Sequence, residues 1–377
     1  MSISFIMITA RVDYPYTNRP DLHLFEPTLE CFKKQEFTDF EWVIVDALYE
    51  QRKNYFTGMK LPFKVKHVPA LPNIWIENGF AGMSRQFNKG IIYADGELLF
   101  FAGDGFMMQP TFMGQLWNHY NQGYFPFAWY FYDTTYVEST PDVVTLGTDI
   151  KEDASSIIDA PYNFSGYSGD CKVSVDFRFN EAFKNSKVNV YPAGWNWFYG
   201  SSAVSMEAML KINGFDERLD GDKGLVDCDV GSRLQLAGYE CRFALFRDFY
   251  LIRAVVDRSW NPSFRHNWTV KCNYALMEYA RHFKQIRANT TRLTEQDIIW
   301  IKEEYCPTQP PEGCTITDFC RETHSWQFPF EHKDGYESHN SCEKWFNFWK
   351  ENQTLINIAE EREKRLDGIK YQEGTFI

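Results

Sequence analysis

Short apolar runs alternate with helical patterns through the first 105 residues of the chain. Strands are predicted at Ile3 to Thr9, Trp42 to Val45 and Leu98 to Ala102, because these runs are too uniformly apolar for half-exposed strands. Between them, Pro27 to Gln35 and Gly82 to Tyr93 carry apolar residues at helical spacing. This alternation is typical of a doubly wound α/β domain with a buried parallel sheet.

The pattern changes in the second part of the chain. From about Gly123 to Tyr199 it is rich in aromatic residues and predicts irregular strands and loops. Helical spacing then returns in four segments, which are Ser202 to Asn213, Val226 to Ala237, Trp268 to Arg287 and Thr294 to Glu304. We expect residues 1–250 to form the main domain, residues 251–305 a helical segment that completes its site, and residues 306–377 a C-terminal extension.

The extension is enriched in potential metal ligands. Residues 306–342 hold four of the nine cysteines and three of the eight histidines. This enrichment suggests a structural Zn²⁺, but the spacings lack the C-x-x-C pair of recognisable zinc sites, so an extension without metal is favoured. A charged helix is predicted at Glu343 to Leu366, which would pack on the main domain or on a second subunit, and a homodimer is one expectation.

Composition narrows the class of protein. The 377 residues include 39 basic and 51 acidic side chains, a formal net charge of -12, which argues against general nucleic-acid binding because that affinity comes largely from basic side chains. The aromatic content of 18% excludes a disordered chain of low hydrophobicity. No apolar run approaches the roughly 20 residues of a membrane span, and the start lacks a signal-peptide pattern, so a cytoplasmic protein is expected.

Polar side chains follow the predicted strands of the main domain. Arg11 follows the first strand, Asp46 the second and Asp104 the third. Open parallel sheets bind ligands at the carboxyl ends of their strands, where a carboxylate accepts from a base or ribose or holds a cation against a diphosphate. Each acid taken singly also fits the capping of a following helix, but their recurrence favours a ligand site.

Glycine-rich phosphate motifs are missing from the sequence, so a phosphate ligand would need side chains or a cation. Arg85 and Asn88 in GMSRQFNKG lie three residues apart on one helix face. They fit phosphate contacts, and they equally fit a solvated helix surface.

Acidic residues concentrate between Gly214 and Tyr239. Asp227 falls in the first turn of a predicted helix, where the helix dipole favours a negative charge, and Asp229 and Arg233 form an i, i+4 pair. A carboxylate held at a helix start can serve as a general base if it meets a substrate hydroxyl. The alternative is ordinary helix charge with a surface ion pair.

Taken in order, five segments between Ile3 and Tyr239 resemble a family 2 glycosyltransferase with the GT-A fold. The segments are ISFIMIT, FEWVIVD, MSRQFNKGIIYADGELLFFAGDGFMMQP, YGSSAVSMEAMLKINGFDE and LVDCDVGSRLQLAGY. Each is loose by itself, but their common order is a specific signal. The resemblance implies a Rossmann-like mixed α/β sheet sandwiched by helices, and a nucleotide-sugar donor.

The resemblance also implies roles for individual residues. Asp46 stands where the family contacts the base, usually uracil, and Asp227 stands where it keeps the catalytic base. Arg85 and Asn88 match positions near the donor phosphates, and Arg233 matches an arginine of the Asp227 helix, so all three are expected on the donor side.

The expected cation site departs from the family pattern. The family usually has two or three acidic residues where this chain has Gly103, Asp104 and Gly105. The expectation is Mn²⁺ or Mg²⁺ held by Asp104 with help from His266, which lies at about the distance past the Asp227 helix where many GT-A enzymes place a metal-binding histidine. A structural or surface histidine is the alternative.

Aromatic clusters fit the handling of an acceptor sugar. Tyr124 to Tyr136 holds eight rings in thirteen residues and is expected to be mostly core. Trp195 and Trp197 are the candidates for stacking on apolar sugar faces, with Asp229 as a hydroxyl partner.

Three functions stay open at this stage. The leading hypothesis is an inverting glycosyltransferase with a UDP-sugar donor and Asp227 as general base. The second is a catalytically lapsed sugar- or nucleotide-binding module. A nucleotidyltransferase would need a glycine-rich N-terminal loop, which TARVDYPYTNRP lacks. Glycans, lipid-linked sugars, proteins and modified nucleic-acid bases all carry the hydroxyl that the acceptor needs.

Overall fold

The computed structural model describes residues 1–9, 25–71, 82–133, 173–175, 190–198, 200–220, 225–244, 249–254, 267–305, 353 and 355–368. Its strands are β1 (Ile3–Thr9), β2 (Phe40–Asp46), β3 (Lys64–Pro69), β4 (Leu98–Ala102), β5 (Phe106–Met108), β6 (Phe125–Asp133), β7 (Val173–Val175), β8 (Val190–Pro192), β9 (Ser201–Ser205), β10 (Cys241–Ala244) and β11 (Tyr250–Ala254). Its helices are α1 (Glu26–Lys33), α2 (Tyr49–Arg52), α3 (Met83–Tyr93), α4 (Phe112–Asn121), α5 (Met206–Ile212), α6 (Val226–Leu236), α7 (Asn267–His282), α8 (Glu295–Tyr305) and α9 (Ile358–Leu366).

The described strands form one mixed sheet in the order β3-β2-β1-β4-β9-β6-β10-β8. β1, β2, β3 and β4 are mutually parallel, whereas β9 runs antiparallel between β4 and β6. β11 extends the sheet beside the second half of β6 and pairs with β5. The expected mixed α/β sheet with helices is confirmed.

Three of the four parallel strands, β1, β2 and β4, match their prediction because they are buried on both faces. β1 and β4 begin and end at the predicted residues, and β2 is longer than predicted by two residues at its start and one at its end. All residues of β2 and β4 are buried, and their rings and aliphatic side chains belong to the central core. Strands with that burial need continuous apolar sequence rather than alternation.

The predicted helix at Ser202 to Asn213 is wrong in its first part. Ser201–Ser205 is the fully buried strand β9, and α5 begins only at Met206. The Ser205 hydroxyl accepts a hydrogen bond from the backbone N–H of Ala208 at 3.1 Å and so caps α5. The small residues of β9 let it fit between β4 and β6, which carry larger side chains. Pairing with these strands determines the strand conformation of this segment.

The end of the described chain packs on the main domain. α9 lies against α3, with Ile358 fully buried. Arg365 donates to the carbonyl oxygen of Ala94, at the C-terminal end of α3, and binds Asp95 at 2.8 Å. Of the predicted charged helix, residues 358–366 are helical, while residues 343–352 lie outside the described residues.

Within the described residues, every helix is too short or too polar to cross a bilayer.

Candidate active site at the carboxyl edge of the sheet

Three side chains lie in one row where β2, β1 and β4 end. Thr9 pairs with Asp46 in the parallel register of β1 and β2, and Met7 pairs with Ala102 in that of β1 and β4. Thr9 lies two residues after Met7, and Asp104 lies two residues after Ala102. The Thr9 hydroxyl donates to Oδ2 of Asp104 at 2.9 Å. We call the row of Asp46, Thr9 and Asp104 the carboxyl edge. Two of its members were predicted at this place from the sequence.

Asp104 is a mostly buried carboxylate, 8% exposed, that the hydroxyl of Thr9 holds in position. The next residue, Gly105, has a φ of +75°, which other residues rarely adopt, so the backbone turns sharply just after the carboxylate. Among the described residues, no three side chains of His, Cys, Asp or Glu come together as a set that could hold a metal ion. The role of Asp104 as a cation ligand stays a prediction, and His266 lies outside the described residues.

Asp46 is fully buried and is surrounded by donors from its own chain. Oδ1 accepts from the backbone N–H of Leu48 at 2.8 Å and from Arg52 at 3.2 Å, while Oδ2 lies 3.0 Å from Nε2 of His67. A buried carboxylate with this set of partners orders the β2 end and α2. Its contact with a base stays a prediction, and in this conformation the side chain does not line an open surface.

Asp227 lies at the second residue of α6, and it is only half-buried. Its Oδ1 accepts from the backbone N–H of Cys228 at 2.9 Å. Leu225, just before the helix, has a φ of +65°, a left-handed conformation that is costly for a branched residue. Leu225 keeps this conformation while its side chain packs with Cys228 and Met277, so the start of α6 is held firmly beneath Asp227.

Asp220 is tied to the start of α3, on the carboxyl side of the sheet. Because β3 and β4 run parallel, the chain leaves β3 at the carboxyl edge, and α3 begins on that side before returning to β4. Asp220 accepts from the first N–H groups of this helix, at Ser84 (2.6 Å) and Arg85 (2.9 Å). Four residues after Asp220, which lie outside the described part, lead to Leu225 and α6.

A buried ion network lies behind this edge, formed by Asp216, Arg218, Asp229 and Arg233. The predicted pair of Asp229 and Arg233 is present, with Nε of Arg233 donating to Oδ2 of Asp229 at 2.7 Å. Arg233 also donates to Asp216 at 2.8 Å and to the carbonyl oxygen of Gln285 at 2.7 Å. It is 1% exposed, so a surface ion pair is the wrong description.

The pKa values of the two acidic residues of this network shift in opposite directions. Burial acts to raise the pKa of Asp216, but Arg218 and Arg233 outweigh it and lower that pKa to about 2. Burial raises the pKa of Asp229 in spite of Arg233, and the charge of Asp216 adds to the increase. The expected contacts of Arg233 with donor and of Asp229 with acceptor stay predictions, and both side chains are engaged inside the protein.

Arg85 and Asn88 also point into the interior rather than to a solvated surface. Nε of Arg85 lies 3.3 Å from Oε2 of Glu217, and both side chains are buried. Asn88 donates to Oε1 of Glu217 and to the carbonyl oxygen of Phe215, and it accepts from the Phe215 N–H at 2.8 Å. Asn88 is fully buried, so its three contacts join α3 to the turn before the Glu217–Leu219 3-10 helix.

The two tryptophans proposed for acceptor stacking differ in surroundings. Trp197 packs on the central core with its ring edge-on to Phe243 at 5.4 Å. Trp195 packs beside Leu225, and the guanidinium carbon of Arg281 lies 4.7 Å from its ring centroid. Trp195 thus contacts the start of α6, whereas Trp197 is mainly a core residue.

Several predictions fall outside the described residues. They are the roles of Arg11 and His266, and the Cys and His cluster of residues 306–342 with its possible zinc. Nothing in the structure bears on them.

Sequence reasoning missed Thr9, Asp216 and Asp220 as site residues. Thr9 was counted only as the last residue of a strand, although the register of two adjacent parallel strands predicts its place beside Asp46 and Asp104. Asp216 and Asp220 carried no pattern of their own, because their partners are 17 and 136 residues away along the chain.

Comparisons with known proteins give structural similarity alone. No protein-family model matches the chain, and no curated protein matches it. Among solved structures, it is similar to S. aureus TarS 1–349 in complex with UDP-GlcNAc, with 12% identity and a TM-score of 0.49 over 100% of this chain and 97% of that one. A second structure of TarS 1–349 gives 12% identity and a TM-score of 0.42 over the same shares.

A longer TarS structure gives 13% identity and a TM-score of 0.42 over 75% of this chain, which spans 41% of the length of that protein. All three TM-scores lie below 0.5, so the function is argued from the residues of this chain.

Proposed function

We propose that the protein is an inverting glycosyltransferase that moves a sugar from a nucleotide-sugar donor, a UDP-sugar, to a hydroxyl of an acceptor. The observations that carry the proposal are the half-buried carboxylate of Asp227 at the start of α6 and the carboxylate of Asp104 that Thr9 holds at the carboxyl edge. The ordered segments that resemble a family 2 glycosyltransferase support the same reaction.

The reaction needs one base and one leaving group. Asp227 takes the proton of the acceptor hydroxyl as that oxygen forms a bond to the anomeric carbon from the face opposite the leaving group. The bond from the anomeric carbon to the donor phosphate oxygen breaks, and the nucleoside diphosphate leaves with the electron pair. The configuration at the anomeric carbon is therefore inverted.

The surroundings of Asp227 suit this role because they fix its position. The N-terminus of α6 favours the charged carboxylate, which is the form that accepts a proton. The Cys228 N–H contacts Oδ1, and the packing of Leu225 holds the helix start. A base that needs no rearrangement before the reaction contributes most.

A divalent cation, Mn²⁺ or Mg²⁺, would supply charge neutralisation on the diphosphate, with Asp104 and His266 as its proposed ligands. Asp104 is the one of these two that lies in the described residues, and its Oδ2 is held by Thr9. We assign no step to the cation. A contact of Arg85 with the donor phosphates is less favoured, because its side chain is buried against Glu217.

One observation favours the second candidate, a sugar- or nucleotide-binding module without turnover. Asp104 stands between two glycines as a single carboxylate, where the family pattern has two or three acidic residues. A module of this kind would bind the donor nucleotide without needing a cation.

Calorimetry with UDP, with Mn²⁺ and then with a chelator, separates the two candidates. The transferase predicts binding that Mn²⁺ strengthens and slow hydrolysis of at least one sugar nucleotide in a screen. UDP binding that ignores Mn²⁺, together with no hydrolysis of any donor, would favour the module instead. Mass spectrometry of the glycans of the source for the matching sugar would then address the acceptor.

A further inference from the structure

Thr9 contacts both neighbouring strand ends at the carboxyl edge. Its carbonyl oxygen accepts from the backbone N–H of Ala47 at 2.9 Å, which joins Thr9 to the residue after Asp46. Its hydroxyl donates to Oδ2 of Asp104 at 2.9 Å, 95 residues away along the chain. Two groups of one residue therefore connect the end of β2 to the turn that follows β4.

The turn that carries Asp104 has little packing of its own. Asp104 stands between Gly103 and Gly105, so neither neighbour has a side chain that anchors the turn. A β-carbon at Gly103 would meet no described atom within 4 Å apart from its chain neighbours. Contacts of the Asp104 side chain itself must therefore hold the carboxylate in place, and the Thr9 hydroxyl supplies one of them.

The two carboxylates of the edge differ in accessibility. Asp46 is 0% exposed and has donors of its own chain on both oxygens, whereas Asp104 keeps 8% of its surface exposed. One accepted hydrogen bond occupies one of the roughly four acceptor positions of a carboxylate. The bond from Thr9 thus orients Asp104 without using up its capacity to bind a further group.

A single oriented carboxylate fits one kind of cation site. Mg²⁺ commonly binds through one or two carboxylates together with phosphate oxygens of a substrate and several waters. Such a site is complete only when the diphosphate is present, so the cation and the nucleotide strengthen each other's binding. Hydrogen bonds to a ligating carboxylate are worth roughly 10- to 100-fold in metal affinity, and they matter most where only one carboxylate is present.

The same strand provides a matched comparison at its other end. The hydroxyl of Ser4, five residues before Thr9 on β1, donates to Oε1 of Glu41 at 2.7 Å, and both side chains are fully buried. At about 3.3 Å per residue, Ser4 lies about 17 Å from Thr9 along the strand. A contribution to folding is expected of both hydroxyl–carboxylate bonds, whereas an effect on cation binding is expected only of the bond at the carboxyl edge.

We propose that Thr9 is a positioning residue whose hydroxyl orients Asp104 for a divalent cation that binds together with the donor diphosphate. The hydroxyl thereby determines how strongly the cation and the nucleotide reinforce each other's binding. The proposal rests on the proposed function and deepens it, because it names a residue on which the cation dependence of donor binding depends. Thr9 acts through Asp104 and does not itself contact the reacting atoms.

Calorimetry with UDP, in excess Mn²⁺ and in a chelator, measures this reinforcement as the ratio of the two dissociation constants. Thr9→Val keeps the shape of the side chain and suits a strand, but it lacks the hydroxyl. It should lower the ratio by about tenfold, or to about 1 if the wild-type ratio is smaller, while UDP affinity in the chelator stays within about twofold of wild type. Thr9→Ser keeps the hydroxyl, so its ratio should stay within about threefold of wild type. Thr9→Ala repeats the test if Thr9→Val does not fold.

Ser4→Ala is the matched control, because it removes a buried hydroxyl–carboxylate bond from the same strand. It should lower the free energy of unfolding and leave the ratio unchanged. A wild-type ratio in folded Thr9→Val protein overturns the role of Thr9 and leaves the transferase in place. An equal loss of UDP affinity with and without Mn²⁺ in that variant does the same, because it indicates a purely structural role.

Hydrolysis of UDP-sugars by the wild-type protein separates this failure from a failure of the proposed function. Wild-type UDP affinity that ignores Mn²⁺ overturns the cation site and the role of Thr9 together. Hydrolysis of a donor in the chelator would then keep the transferase without a cation. A Mn²⁺ dependence that Thr9→Val removes, in a protein that hydrolyses no donor, supports the role of Thr9 in nucleotide binding and overturns the transferase.

Discussion

Asp220 carries a carboxyl group whose pKa burial raises to about 7, and the charge of Glu217 adds to that increase against the backbone N–H groups of Ser84 and Arg85. In an unfolded chain the pKa of an Asp is about 3.9. Between about pH 4 and pH 7 the unfolded chain therefore loses this proton while the folded protein keeps it. The free energy of unfolding falls as the pH rises through this window, by up to about 1.4 kcal/mol per pH unit.

Asp220→Asn removes this titration and keeps an oxygen that accepts from the start of α3. We expect wild type to lose stability relative to the variant as the pH rises from 4.5 to about 7, and the difference to level off above that pH. Urea unfolding at several pH values measures this difference. A difference between Asp220→Asn and wild type that is the same at every pH would contradict the account.

Gly231→Ala tests the contact between α6 and the Trp195–Trp197 turn. Within a helix, Ala is normally more stable than Gly by about 0.5–1 kcal/mol. Here we expect the opposite sign, a loss of about 1–3 kcal/mol, because the new β-carbon meets the backbone of Trp195. Gly200→Ala, where no described atom beyond the chain neighbours lies within 4 Å of the added carbon, should change the free energy of unfolding by less than about 0.5 kcal/mol. A stabilised Gly231→Ala variant would show that the two elements are not packed as described.

At the scale of single residues, the sequence predicted which side chains lie together on a helix better than it predicted their burial and their contacts. The pair of Asp229 and Arg233 followed from helical spacing, but its burial depends on Asp216, which lies 17 residues from Arg233 along the chain. Asn88 was predicted on a helix, but its partner Phe215 is 127 residues away. Local pattern predicts which side chains share a helix face, and it does not predict what covers that face.

At the scale of secondary-structure elements, the packing of α9 on α3 determines how much each side chain of α9 contributes to stability. Ile358 is fully buried at the start of α9, and the side chain of Asn213 accepts from its backbone N–H at 2.9 Å. Ile358→Ala should lower the free energy of unfolding by about 2–4 kcal/mol, because the lost methyl groups leave a cavity in the core. Leu366→Ala on the same helix removes a side chain that is 56% exposed, and it should cost less than about 0.5 kcal/mol. Equal effects of the two changes in thermal or urea unfolding would mean that α9 does not pack on α3.

The elements that the sequence predicted well are those whose burial shows in their own composition. β1, β2 and β4 are continuous apolar runs, and α3 and α6 carry clear helical spacing. β9 was missed because its residues from Ser202 on continue the helical spacing of the segment that follows, whereas its strand conformation comes from pairing with β4 on one side and β6 on the other. The order of strands in the sheet depends on such pairings and was not deduced from composition.

For the whole molecule, the structure changes the meaning of the net charge of -12. With so many acidic residues near Asp216, a site for a doubly charged donor would need a cation or a few placed arginines. Arg85, Arg218 and Arg233 are present, but they pair with Glu217 and Asp216 inside the protein. Among the described acidic residues of this stretch, Asp227 is the one that stays partly accessible, and the account of function depends on it.

Asp227→Asn is the most direct test of that account. Hydrolysis of the responding sugar nucleotide should fall by about 10²- to 10⁴-fold, because removing a general base has an effect of that size, while UDP affinity from calorimetry should stay within about twofold of wild type. Glu207→Gln removes the same charge at an exposed position in the first turn of α5, and it should keep full activity. Wild-type turnover by a correctly folded Asp227→Asn protein would contradict the central claim.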